Sequence, residues 1–149
     1  MIQVFIQAEA QSKQRLQVDE TTLAIKKTLI LPIRHPYAYG FILNSHAMDG
    51  DGLDCFVITS TALHAGEIIA CEPVAVLEMW ENHEADSKVL AVPLGEDTAL
   101  PHSVQSTLSL FLFNLFTHFP DSGLRIGDLL PASAAREFIQ QARLNSNAP

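Results

Sequence analysis

Short apolar runs rich in β-type residues, separated by turn residues, occupy the first two thirds of the chain. They cover residues 4–6, 16–18, 29–33, 55–59, 68–79 and 89–92. Runs of this length and composition predict strands, and their regular spacing predicts a closed barrel or a sandwich. Pro73 interrupts the longest run, where proline indicates a bend, a bulge or a sheet edge.

The last third changes from strand to helix periodicity. Residues 101–118 are apolar around much of a helical circumference, and Ser133 is a candidate N-cap for a second helix. The second helix has an apolar stripe at Ala135, Phe138, Ile139 and Ala142. With 149 residues, 48% of them hydrophobic, we expect one mainly β domain over residues 1–149 with two flanking helices. The phenylalanines of the first helix leave open an exposed patch for self-association.

Three carboxylates, those of Asp49, Asp51 and Asp54, lie within six residues, directly before an apolar run. Like charges this close repel one another unless a cation lies among them, and Mg²⁺ prefers oxygen ligands. The segment therefore indicates a metal site, although a plain acidic turn has the same composition. An EF-hand loop is excluded by spacing, because its sixth and twelfth positions would be Asp54 and Ser60 rather than glycine and glutamate.

The charge balance limits the class of partner. Seventeen acidic and nine basic side chains give a formal charge of −8, which argues against a nucleic-acid surface and gives no support for an anionic membrane. A compact anion held by a few cations and metals fits this balance. Cys55 and Cys71 lie in apolar runs and are expected to be reduced core residues. With no recognisable signal peptide or membrane span, we expect a cytoplasmic protein.

Two further motifs surround the acidic segment at a characteristic spacing. Tyr39-Gly40-Phe41-Ile42 precedes it, and Asp86-Ser87-Lys88 leads into a run that ends in Ala91-Val92-Pro93. Over nearly the whole chain this order resembles the family I soluble inorganic pyrophosphatases, whose signature is Asp-Gly-Asp-Pro-x-Asp. The resemblance implies a five-stranded, OB-like closed barrel with two flanking helices. It also implies hydrolysis of pyrophosphate, or a related phosphoanhydride, with Mg²⁺ or Mn²⁺, in a homo-oligomer that is often a hexamer in bacteria.

The resemblance assigns roles to individual positions. Asp51 matches the carboxylate that acts as general base on the attacking water. The implied metal ligands are Asp49, Asp54, Glu81 and Asp86, with Glu81 standing where the family usually has aspartate. The implied phosphate-binding residues are Arg15, Lys27, Tyr39 and Lys88. Arg15 and Lys27 exchange one basic residue type for the other, which keeps the charge and changes hydrogen-bond geometry.

Other positions depart from the family pattern. Gln7 and Gln17 replace glutamates, His35 replaces a tyrosine, and Phe119-Pro120 falls where the family has Tyr-Lys. A hydrogen bond to a charged group contributes roughly 1.5 to 3 kcal/mol, so these losses predict weakened catalysis. His35 or His118 could enter the cleft as a replacement phosphate donor. The alternatives left open are a non-catalytic metal- and anion-binding protein and, disfavoured by charge, a nucleic-acid-binding OB module.

Overall fold

The computed structural model describes residues 1–46 and 51–146, which contain nine strands and two helices. The elements in chain order are β1 (Ile2–Ala8), β2 (Gln14–Val18), β3 (Ile25–Ile30), β4 (Ala38–Ile42), β5 (Asp54–Val57), β6 (Ile68–Glu81), β7 (Glu84–Ala85), β8 (Lys88–Pro93), α1 (Val104–Phe116), β9 (Arg125–Pro131) and α2 (Ala132–Ser146). The predicted class, mainly β with two helices, is confirmed. Neither helix is long and apolar enough to cross a membrane.

The main sheet has the strand order β1-β4-β5-β8-β6, and β1 also pairs with β6. The sequence of pairings therefore returns to its first strand. β5 and β8 are parallel, whereas the other pairs in this order are antiparallel. β7 and β9 add to β6, and β2 and β3 form a separate two-stranded hairpin.

The structure agrees with the prediction for Pro73 and differs from the predictions for the C-terminal end of the chain. The register of β6 against β8 shifts between Pro73 and Ala75, so the proline marks a bulge as predicted. β9 was not predicted, because Gly127 and Asp128 weaken its strand signal. Ser133 is not an N-cap, since β9 runs directly into α2 and the helix begins at Ala132.

Two apolar clusters cover opposite faces of the central strands. Along β5, Phe56 joins the cluster that contains α1, whereas its neighbours Cys55 and Val57 join the cluster that contains α2. This alternation is the period of two that a strand buried on both faces requires. Ala135, Ile139 and Ala142 of α2 are buried, as the predicted stripe requires.

The β2–β3 hairpin is held against the main sheet by a third cluster, in which Val18 packs with Phe5 and Phe41. Gln7 adds a polar contact, because its Nε2 donates to the Leu16 carbonyl oxygen at 3.0 Å. The hairpin therefore faces the end of the sheet at which β4 finishes and β5 begins.

Candidate functional site

A polar cleft of about 620 Å³ lies between the β2–β3 hairpin and the start of β5. Four of the predicted site residues, Arg15, Tyr39, Asp51 and Asp54, line this cleft. They come from β2, from β4, from the segment before β5 and from the first residue of β5, so the fold brings together residues that are up to 39 positions apart. Gln7 and Gln17 also line it, which places both glutamate replacements at the site.

Asp54 is the centre of a hydrogen-bonded cluster. The Tyr39 hydroxyl donates to Asp54 Oδ1 at 2.7 Å, and Lys88 Nζ donates to Asp54 Oδ2 at 2.5 Å. Lys88 also binds Asp86 Oδ2 at 3.0 Å. Because Lys88 is only 6% exposed, its ammonium is a buried positive charge that these two partly exposed carboxylates share.

The titration properties of the cluster follow from this pairing. Burial opposes the charged form of Lys88, but the negative charges of Asp54 and Asp86 outweigh it and hold the pKa of the ammonium above its usual value. Burial likewise opposes the charged form of Asp54, yet Lys88 holds the pKa of this carboxyl below its usual value. The pKa of Tyr39 is raised by burial and then by Asp54, so the hydroxyl remains a donor.

Arg15 is fixed from two sides. Its guanidinium carbon lies 4.0 Å from the centre of the Tyr39 ring, and its Nε and Nη2 lie 3.2 and 3.0 Å from His35 Nε2. His35 Nδ1 lies 2.7 Å from the Ser12 carbonyl oxygen, so Nδ1 carries the proton and Nε2 accepts from Arg15. Burial lowers the pKa of His35 to about 4. The hydrogen bond to Ser12 opposes this shift, and the positive charge of Arg15 adds to it.

This arrangement rules out one of the roles considered for His35. The ring is fully buried and does not line the cleft, and both of its nitrogens already have partners. His35 therefore holds the arginine and is no substitute phosphate donor. His118, the other histidine considered, is exposed just beyond α1 and does not line the cleft.

The cleft contains ionisable residues that the sequence did not indicate, namely Asp19, Glu20, Lys26 and His46. Glu20 Oε1 accepts a hydrogen bond from the Gly52 backbone N–H at 2.7 Å. Burial raises the pKa of the Glu20 carboxyl, the Gly52 bond opposes this, and Asp51 and Asp54 raise it further. Glu20 lies in the turn segment Asp19-Glu20-Thr21-Thr22, which is typical of a solvated hairpin.

Several predicted residues lie elsewhere. Asp49 is outside the described residues. Lys27 pairs with Gln17 in the hairpin, but Lys26 rather than Lys27 lines the cleft. Glu81 ends β6, pairs with Glu84 and does not line the cleft. Phe119 and Pro120 are exposed and do not line the cleft.

The donor chemistry of the cleft suits a hard divalent cation. Asp51 and Asp54 present carboxylate oxygens, and each Asp54 oxygen keeps a lone pair beyond the hydrogen bond that it accepts. Among residues 1–46 and 51–146, no group of three or more His, Cys, Asp or Glu side chains is close enough to form a complete site. Asp51 and Asp54 can therefore supply only part of a coordination shell.

Comparisons with known proteins agree on one family. The family model described as inorganic pyrophosphatase matches residues 3–121. A curated inorganic pyrophosphatase from Aeropyrum pernix is 29% identical, with 95% of this chain and 88% of the relative covered. The Synechocystis inorganic pyrophosphatase is 37% identical over 62% of this chain, and this match spans 56% of the relative, about half its length.

Solved structures give the same answer for the fold. An inorganic phosphatase from Anaplasma phagocytophilum superimposes with a TM-score of 0.87 at 29% identity, covering 98% of this chain and 93% of that one. The Neisseria gonorrhoeae inorganic pyrophosphatase gives 0.89 at 20% identity, covering 99% and 92%. Since the family model alone extends over most of the sequence, this chain belongs to the inorganic pyrophosphatase family.

Proposed function

We propose that this protein hydrolyses inorganic pyrophosphate to phosphate with a divalent metal, Mg²⁺ or alternatively Mn²⁺. The observation that carries the proposal is the single cleft in which Asp51 and Asp54 face Arg15. Two carboxylates that can hold a metal and a fixed guanidinium in the same cleft suit a metal-bound pyrophosphate anion. The family relatives named inorganic pyrophosphatase support the same substrate.

In this mechanism Asp51 acts as the general base and accepts a proton from the attacking water at its carboxylate. The proposed metal ligands are Asp49, Asp54, Glu81 and Asp86. A bound divalent metal supplies neutralisation of phosphate charge and a lowered pKa for coordinated water. Arg15 orients the phosphate through the guanidinium that His35 and Tyr39 hold in place.

We assign the remaining basic residues different parts. Lys88 was expected to bind phosphate, but it is buried and does not line the cleft. We therefore assign it a part through Asp54 and Asp86, which its ammonium binds. Lys27 remains a proposed phosphate ligand, with the cleft-lining Lys26 beside it in the hairpin. The five strands that pair in a ring correspond in this proposal to the OB-like barrel. We expect the protein to be cytoplasmic and to form a homo-oligomer, with a hexamer as its expected form.

The test is phosphate release from pyrophosphate with Mg²⁺ or Mn²⁺. Asp51→Asn is expected to lower kcat by about 10² or more, because it removes a general base, and Asp54→Asn is expected to weaken metal activation. Asp128→Asn, an exposed residue that does not line the cleft, is the control and should retain activity. A wild type no faster than Asp51→Asn at any metal concentration, yet still able to bind Mn²⁺, would instead support the non-catalytic metal- and anion-binding protein.

A further inference from the structure

Hydrogen bonds from Ile42 and Ser45 hold one side of the segment that carries Asp51. The Leu53 N–H donates to Ser45 Oγ at 3.1 Å, and the Leu53 carbonyl accepts from the Ile42 N–H at 2.9 Å. Ser45 is itself anchored, because its hydroxyl donates to the Ile42 carbonyl at 2.6 Å. β4 thereby fixes the backbone at Leu53, two residues beyond Asp51.

The contact nearest to Asp51 comes from a different element. The Gly52 N–H belongs to the peptide plane that joins Asp51 to Gly52, so a partner of this N–H restricts the backbone rotation that sets the direction of the Asp51 side chain. That partner is Glu20, at 2.7 Å, in the turn of the β2–β3 hairpin. Gly52 is buried, so its N–H would lose a needed acceptor without Glu20.

The turn that presents Glu20 is itself well defined. Asp19 Oδ1 accepts from the backbone N–H groups of Thr21 and Thr22, each at 2.9 Å. The backbone closes the same turn, since the Asp19 N–H donates to the Ala24 carbonyl at 2.9 Å. Glu20 therefore lies in a hydrogen-bonded turn.

Steric fit supports a specific contact between these two residues. A Cβ built on Gly52 would lie 2.8 Å from Glu20 Oε1 and 3.0 Å from Phe41 Cδ2. The absence of a side chain at position 52 thus lets the carboxylate reach the backbone. The negative charges of Asp51 and Asp54 repel the Glu20 carboxylate. The hydrogen bond to the Gly52 N–H offsets this repulsion, which an uncharged acceptor at position 20 would not experience.

We propose that Glu20 is a positioning residue for the proposed hydrolysis: its hydrogen bond to the Gly52 N–H couples the β2–β3 hairpin to the acidic segment and orients the Asp51 carboxylate. Glu20 touches the backbone and not the reacting atoms in this role. The inference rests on the proposed function for its catalytic consequence, whereas the hydrogen bond itself can be measured without activity.

The test compares Glu20→Ala with Glu20→Gln, which keeps an acceptor oxygen and removes the charge. Glu20→Ala is expected to lower kcat by about 10- to 100-fold, as misplacement of a reacting group does, while KM changes less than about twofold. Glu20→Gln should recover kcat to within about threefold of wild type. Glu67→Ala is the matched control, because Glu67 Oε1 accepts the His64 N–H at 2.8 Å on an exposed surface that does not line the cleft, and its kcat should stay at the wild-type value.

The Gly52 amide supplies a readout that does not depend on turnover. Its hydrogen exchange, followed by NMR, should accelerate by about tenfold or more in Glu20→Ala and stay protected in Glu20→Gln and Glu67→Ala. If wild type releases no phosphate, this exchange pattern still tests the contact, and the failure then belongs to the proposed function. Unchanged exchange and unchanged kcat in Glu20→Ala would overturn the proposal. A Glu20→Gln variant with a kcat as low as that of Glu20→Ala would also overturn it, because the charge of Glu20 rather than its hydrogen bond would then matter.

Discussion

The burial of His35 makes the stability of the protein depend on pH. Its pKa is about 4 in the folded protein against an ordinary value of 6.5, so the unfolded chain binds a proton first as the pH falls. The stability that His35 supports is complete above pH 6.5 and is lost as the pH falls toward 4. Over this window the loss amounts to about 3 kcal/mol.

The measurement compares urea unfolding of wild type and His35→Gln at pH 7, 5.5 and 4. Glutamine can donate to the Ser12 carbonyl and accept from Arg15, and it does not titrate. Between pH 7 and 4 the wild type should lose about 3 kcal/mol more of its unfolding free energy than the variant. Parallel pH profiles for the two proteins would mean that His35 does not remain neutral in the folded state.

Lys88 allows a second prediction at the scale of the residue. Lys88→Met, in metal-free buffer, leaves Asp54 and Asp86 without the cation that they share. Removing one member of a buried ion pair typically costs about 3 to 5 kcal/mol. The side chains of Asp54 and Asp86 are 24% and 26% exposed, so we expect the lower end of that range, measured by urea unfolding.

A double variant tests the electrostatic origin of this loss. Adding Asp54→Asn to Lys88→Met removes one of the stranded carboxylates, and it should recover part of the unfolding free energy. If the double variant is as unstable as the sum of the two single changes, the two residues are not coupled and the pairing is energetically unimportant.

At the scale of elements, the close contact between β1 and β4 depends on Gly40, which faces Ile6 in the ladder. A Cβ at position 40 would lie 1.8 Å from the Phe5 carbonyl oxygen. Since that oxygen belongs to the backbone of a central strand, no side-chain rotation can relieve the overlap. Gly40→Ala should therefore destabilise the protein by about 3 kcal/mol or more, because the backbones of β1 and β4 would have to move apart.

The control is Gly95→Ala, at a turn glycine with φ +91° and no atom within 4 Å of the added carbon. It should cost only the conformational penalty of a left-handed residue, about 1 to 2 kcal/mol. Thermal or urea unfolding of both variants separates overlap from backbone strain. Equal losses in the two variants would show that β1 and β4 can move apart freely.

Elements also explain what the sequence could and could not predict. Strands such as β5 and β8 carry their own apolar signal, and Asp54 and Tyr39 were singled out through short motifs, one at the start of β5 and one within β4. Glu20 was not singled out because its place in the cleft depends on where a hairpin docks, through Val18 and Phe41, and a turn sequence is the same whether it faces solvent or a cleft. The role of His35 was left open for a similar reason, since only the fold places its ring against Arg15.

At the scale of the whole molecule, α1 buries one side and leaves apolar residues on the other. Leu108, Phe111 and Leu112 pack in the core, whereas Leu110 is 63% exposed and Phe113 is 49% exposed. Positions 110 and 113 are three residues apart and therefore neighbours on the helix surface. Adjacent exposed apolar side chains mark candidate contacts between protein chains, which agrees with the proposed homo-oligomer.

If α1 forms a contact between copies of this chain, Leu110→Gln with Phe113→Gln should reduce the assembly to smaller species without loss of the fold. Analytical ultracentrifugation at micromolar concentration measures the mass, and circular dichroism checks the fold. Ile30→Gln, which removes an apolar side chain of similar exposure, 68%, from β3, is the control and should leave the mass unchanged. A monomeric wild type would contradict the proposed oligomer, whereas an oligomer unaffected by the double change would place its interface away from α1.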